Sequence, residues 1–143
     1  MISGGEPTLQ PDLLDFMRQV KALDFAIKLD TNGTQPERLE QALSEQLLDY
    51  VAMDIKTDLQ RYQSLTQTHD DIAAIQRSRH LLQQSEIEHE FRTTFIKGYH
   101  TPKDYEAMAR FINGAPRYTI QNFRPQKTLC PSFKQYQSYS PEE

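Results

Sequence analysis

One cysteine, Cys130, is all that 143 residues offer, so no disulfide can form within the chain. A lone thiol fits a reducing compartment. No stretch approaches the ~20 apolar residues of a membrane-spanning helix, and the first residues lack the basic and apolar regions of a secretory signal. A cytoplasmic location without a membrane partner is expected. Basic runs are missing as well: Lys and Arg number 16 against 20 Asp and Glu, a net charge of -4. That balance argues against a nucleic-acid partner. Hydrophobic residues are scarce, at 37% with a mean hydropathy of -0.72. The length allows a core, but the core must be lean. The histidines, His69, His80, His89 and His100, show no ligand spacing. Only His100, on a loop after a strand, is placed to line a site, and a surface loop explains it as well.

What the sequence does contain is concentrated at a few turns. Ile2-Ser3-Gly4-Gly5-Glu6-Pro7-Thr8 reads as the end of a buried strand breaking into a loop with one carboxylate. Two adjacent glycines keep Cβ atoms out of the turn, so a ligand can approach the backbone. An ordinary strand-to-helix turn explains the stretch equally well by itself. A buried strand usually runs about 5–6 residues, yet only Met1-Ile2-Ser3 precede the glycines. The expectation is that the chain is the later part of a longer protein, with an unpaired sheet edge that favours self-association.

Beyond the loop, helical and strand periods alternate. Helices are expected over 11–23, with Leu13, Phe16, Met17 and Val20 on one stripe, over 36–48, over 70–84 with Thr68 or His69 near its cap, and after Thr101-Pro102. Strands are expected at 25–29, 50–56, 87–96 and 117–123. Asn32-Gly33 resembles a hairpin turn, but a helical pattern rather than a strand follows it. The fold class is α/β: parallel strands with crossover helices over residues 1–125, followed by a polar tail over 126–143 that lies on the surface or is partly disordered. Periodicity does not decide between an open sheet and a barrel. In either case chemistry belongs at the carboxyl ends of the strands. There the sequence places Glu6, then Asp30, Thr31 and Asn32, then Asp54 and Lys56, then Arg92. Strand parity puts Asp54 and Lys56 on one side, and Arg92 opposite the Phe91-Thr93-Phe95 face. Structural ion pairs account for one such site more comfortably than for four together.

Ser3-Gly4-Gly5-Glu6-Pro7, Leu29-Asp30-Thr31-Asn32-Gly33 and Asp49-Tyr50-Val51-Ala52-Met53-Asp54-Ile55-Lys56, in this order, resemble the radical S-adenosylmethionine superfamily. Within it they most resemble the glycyl-radical activating enzymes, of the type serving anaerobic ribonucleoside-triphosphate reductase. The resemblance runs from Ile2 to about Pro125. It implies a partial (β/α) barrel, here shortened at its N-terminal side. It also implies S-adenosylmethionine and a [4Fe–4S] cluster as cofactors, reductive cleavage of the former to a 5′-deoxyadenosyl radical, and hydrogen abstraction from a partner's glycine. The implied partners are a glycyl-radical enzyme and an electron donor. Carried over by position, Gly4, Gly5 and Glu6 would contact the methionine amino group, and Asp54 and Lys56 would also reach the cofactor. Thr31 and Asn32 stand at the same mouth. Asp30, Thr31 and Met53 match a monovalent-cation site, and Arg92 a position serving the cofactor's carboxylate or ribose. The family's Cys-x3-Cys-x2-Cys loop is absent, and Cys130 alone cannot replace it. The chain as it stands is therefore expected to bind S-adenosylmethionine without generating radicals. Two alternatives remain: another radical enzyme of this superfamily, such as a deazaguanine-forming synthase, or a non-catalytic binding remnant.

Overall fold

A computed structural model describes residues 1–66, 71–128, 130–140 and 142. Its centre is a parallel sheet of β1 (Lys28–Thr31), β2 (Tyr50–Asp54), β3 (Glu88–Phe95) and β4 (Tyr118–Asn122), ordered β1-β2-β3-β4. Each strand lies beside its predecessor, as in a barrel wall. A doubly wound sheet would reverse direction at a switch point. Right-handed crossovers in this order put every helix on the same face. The core sits there: Leu29, Val51, Met53 and Phe91 pack with Met17, Leu39, Ile75, Leu82 and Met108 from the helices. The other face stays polar. The sheet is open, which resolves the question left by periodicity in favour of a partial barrel.

The helices are α1 (Leu13–Lys21), α2 (Pro36–Ser44), α3 (Tyr62–Thr66), α4 (Ile72–Gln84) and α5 (Pro102–Phe111). α1 buries Leu13, Leu14 and Met17 but leaves Phe16 51% exposed. The expected stripe is thus rotated, with Leu14 in place of Phe16. α2 starts on Pro36, whose fixed φ and missing N–H suit the first turn. The side chain of Asp71 caps α4 by accepting from Ala73 N–H at 2.9 Å. Thr68 and His69, expected near that cap, lie outside the described residues. α5 opens with Asp104 accepting from both the N–H and the hydroxyl of Thr101 at 2.7 Å.

β1 forms one edge of the sheet. Ile2 alone pairs with it there, donating its N–H to Lys28 O at 2.7 Å and accepting from Asp30 N–H at 3.0 Å. At the other end the tail docks instead of draping loosely. Phe133 is 8% exposed, against Ile96 and Phe123. Asn122 exchanges two hydrogen bonds with the Tyr139 backbone, at 2.7 and 2.9 Å. The Tyr105 and Tyr139 hydroxyls lie 2.6 Å apart. Burial and this contact push the Tyr105 phenol up to about 12. Among the described residues no helix is long and apolar enough to cross a membrane.

Candidate functional site

A mouth of about 640 Å3 opens where the strands end, walled by Gly4, Gly5, Asp30, Asn32, Asp54, Lys56 and Arg92, with Ile96, Phe123 and Phe133 on its apolar side. Strand geometry explains the polar wall. Asp54 pairs in register with Arg92, and Asp30 with Ala52 one position before the Met53–Phe91 pair. Leu29, Val51, Met53 and Phe91 therefore turn to the helices, while Lys28, Asp30, Asp54, Glu90 and Arg92 share the bare face.

These charges pair across strands. Arg92 reaches Asp30 Oδ2 at 3.2 Å and Asp54 Oδ1 at 2.9 Å, and Lys56 Nζ donates to Asp54 Oδ2 at 2.7 Å. Burial works against the charge of Arg92, but the attraction of Asp54 and then Asp30 outweighs it and raises its pKa. Deeper in the sheet, Glu90 accepts from Thr119 at 2.5 Å and from Lys28 at 3.4 Å. Burial pushes the Glu90 carboxyl up, and these hydrogen bonds more than reverse it. One acceptor is left over. Asp30 Oδ1 is buried without a hydrogen bond, with Lys28 Nζ 3.9 Å away. A buried acceptor in that state costs about 1–3 kcal/mol, which a ligand N–H or a cation would recover.

Gly4 and Gly5 sit at φ +106° and +51°, and a Cβ built on either meets nothing within 4 Å. Their backbone conformation requires glycine, and the space above them is free for a ligand. Glu6 behaves differently. Its carboxylate accepts from the Thr8 N–H at 3.1 Å and the Thr8 hydroxyl, from the Thr31 hydroxyl at 2.8 Å and from Asn32 N–H at 2.6 Å. It ties the glycine loop to the loop after β1, and it is not among the residues lining the mouth. The sequence pointed Glu6 at a ligand; in the fold Oε1 accepts three hydrogen bonds and Oε2 one, so the carboxylate also locks the two loops together. Glu6→Gln puts an amide donor among four donors. We expect a loss of about 2 kcal/mol, read by urea unfolding. Unchanged stability would show that the lock contributes nothing.

Of the three residues matched to a cation site, Asp30 and Thr31 line the mouth and the Met53 side chain does not. Asp30 faces the mouth, whereas the Thr31 hydroxyl turns to Glu6 and accepts from Gly33 N–H at 3.1 Å. The Met53 side chain is fully buried in the helix-side core. Among the described residues no three His, Cys, Asp or Glu side chains gather as in a metal centre.

Tyr62 escapes the sequence reading, which places His100 either at the site or on a surface loop. Tyr62, 2% exposed, lines the mouth and accepts from Lys56 N–H at 3.1 Å. His100 is 6% exposed. Its Nδ1 accepts from Ile96 N–H at 2.9 Å, which leaves the proton on Nε2 to donate to Lys56 O at 3.1 Å. This neutral ring pins the Asp54–Lys56 segment to the end of β3. Burial lowers its pKa from the ordinary 6.5. Below pH 6.5 the unfolded chain therefore takes up a proton that the folded chain refuses, and stability falls as pH drops. Melting curves should show this decline beginning near pH 6.5 and absent in His100→Gln, whose amide can both donate and accept. The same decline in His100→Gln would contradict the assignment. His80 is exposed, His89 is buried on β3 under the helices, and His69 lies outside the described residues.

A family model described as the Radical SAM superfamily matches residues 1–112. A protein of Methanocaldococcus jannaschii assigned as a glycyl-radical enzyme activating enzyme is 34% identical over 139 residues, covering 94% of this chain and 58% of its own length. A GTP 3′,8-cyclase of Lactiplantibacillus plantarum is 30% identical over 133 residues, covering 80% of this chain and 38% of its own. The chain thus spans about half, or less, of these relatives. In structure it is similar to a domain of a pyruvate-formate lyase-activating enzyme from Bacteroides vulgatus. The TM-score is 0.71 at 19% identity, over 99% of this chain and 84% of that one. That likeness concerns the fold alone. The family match covers most of the chain and includes every residue of the polar wall: the protein belongs to the radical S-adenosylmethionine superfamily.

Proposed function

We propose that this chain is the S-adenosylmethionine-binding part of a glycyl-radical activating enzyme of the anaerobic ribonucleotide reductase type. The observation that carries the reading is the buried Oδ1 of Asp30, which accepts no hydrogen bond and has Lys28 Nζ 3.9 Å away, in a mouth that also presents Lys56, Arg92 and two open glycines. S-adenosylmethionine carries an ammonium, a carboxylate, a sulfonium and an aromatic base, so it needs acceptors, a cation and an apolar wall together. Asp30 and the Gly4–Gly5 backbone would accept from the ammonium. Lys56, 40% exposed at its side chain and paired with Asp54, would meet the carboxylate. Ile96, Phe123 and Phe133 would exclude water from the base. Arg92 holds both aspartates in place through Nε, Nη1 and Nη2, and its two remaining N–H groups would meet the cofactor's carboxylate or ribose. When bound, S-adenosylmethionine supplies a carbon–sulfur bond that one electron can cleave.

A [4Fe–4S] cluster does not fit the residues present, because it is held by several thiolates and the sequence contains only Cys130. A glycyl-radical enzyme as partner is supported by the name of the Methanocaldococcus relative. The Asp54-Ile55-Lys56 triplet supports an activase over a deazaguanine-forming synthase. The test is calorimetric titration of the iron-free chain with S-adenosylmethionine. Saturable one-site binding is expected. The absence of binding would overturn the reading in favour of a scaffold remnant.

A further inference from the structure

Away from the mouth, a second cavity of about 300 Å3 lies between the segment after β2 and the helices α4 and α5. Its wall includes Thr57, Asp58, Arg79, Arg110 and Phe111. Thr57 is 1% exposed, yet its hydroxyl has no hydrogen-bond partner. The Nε–H of half-buried Arg79 is likewise buried and unpartnered. The Phe111 ring stacks 5.2 Å from the Arg79 guanidinium and fixes its plane. Among the described residues no carboxylate lies within ion-pair distance of Arg79. Arg110 adds a second positive charge at the rim, with only a 3.7 Å contact to exposed Glu106.

Each unmade hydrogen bond of this kind costs about 1–3 kcal/mol. Both orphan groups can donate, and both belong to a wall that carries two guanidinium groups. An acceptor-rich anion can accept from all three side chains, Thr57, Arg79 and Arg110, whereas an ammonium or an apolar ligand satisfies none. Arginine's rigid fork favours a planar or tetrahedral oxyanion over a point charge such as chloride. Among the described residues Asp58 is the carboxylate of the wall itself, and Glu106 beside Arg110 also opposes an anion there. The Asp58 carboxylate caps the short helical turn by accepting from Gln60 N–H at 3.4 Å.

We propose that this cavity, lined by Arg79, Arg110 and the buried Thr57 hydroxyl, binds a phosphate-type oxyanion. Its volume is roughly ten times the ~30 Å3 share of one water, so a small phosphate monoester fits as well as the free ion. The site is independent of the S-adenosylmethionine reading, since no residue of its wall lines the mouth.

The test titrates the whole chain with inorganic phosphate, and in parallel with ribose 5-phosphate, by calorimetry at constant ionic strength with chloride as the reference anion. Saturable one-site binding is expected. Arg79→Lys keeps the charge but loses Nε and the fork, and should weaken binding about tenfold. Thr57→Val should weaken it about fivefold. Asp58→Asn keeps the cap and should tighten binding about threefold, a gain that misfolding cannot produce. Tighter binding of ribose 5-phosphate assigns a monoester, and equal binding assigns the free ion. Phosphate that binds no better than chloride would overturn the proposal. So would saturable binding that none of the three substitutions changes.

Discussion

Arg92→Met is expected to melt roughly 10 °C below the parent chain and to give no measurable heat with S-adenosylmethionine. Arg92 is 15% exposed at its side chain, and it holds Asp30 and Asp54, 14% and 28% exposed, from neighbouring strands. Without it two carboxylates face each other across the sheet, with Lys56 on one and Lys28 no nearer than 3.9 Å to the other. Breaking a fully buried pair costs about 3–5 kcal/mol. Partial exposure puts this one at the lower end, about 3 kcal/mol. Arg92→Lys keeps a charge without the fork that spans both aspartates, so it should fall between the two. A melt within a degree or two of the parent would show that the network neither stabilises the sheet nor sets the mouth.

Gly33→Ala should destabilise the chain by about 3 kcal/mol, through two terms that can be separated. Gly33 sits at φ +76°, where a side chain adds roughly 1–2 kcal/mol of strain. A Cβ there would also lie 2.1 Å from Met53 Cε and 3.3 Å from Ser78 Cβ. Met53 is fully buried, so its movement disturbs a packed core at a cost of about 1–3 kcal/mol. Met53→Ala removes the obstacle while leaving the backbone strain. In urea unfolding the double variant should therefore be more stable than the sum of the single losses predicts, by about 1 kcal/mol. Strict additivity would show that the steric term is absent. The turn matters for the mouth because Gly33 N–H donates to the Thr31 hydroxyl, which in turn donates to Glu6.

Periodicity exposed β2, β3, β4 and most of the polar wall, but it set the first strand at 25–29, whereas β1 runs Lys28–Thr31 and leaves Phe25 exposed. Asp54 and Arg92 could be put on one face because side-chain alternation in a strand is strict, and their register in the sheet brings them together. Asp30 was equally readable, because it closes a short apolar run. Helix α1 was less so: Leu14 and Phe16 flank the same stripe, and only packing chooses between them. Glu6 was read as a ligand group because its partners Thr31 and Asn32 lie 25 and 26 residues away. The same limit left His100 undecided between site and surface loop, since its acceptor, the Lys56 carbonyl, is 44 residues distant. The tail looked loose by composition. A few aromatic residues, Phe133, Tyr136 and Tyr139, anchor it all the same.

The central claim is that the mouth at the strand ends holds S-adenosylmethionine. Amide NMR of the isotope-labelled chain during titration tests it most directly, because it reports where the ligand sits as well as whether it binds. The predicted result is saturable shifts concentrated at Gly4, Gly5, Asn32, Lys56 and their neighbours, with the helix-side cavity around Arg79 unmoved. Shifts confined to that helix-side cavity, or no saturable shifts at all, would contradict it.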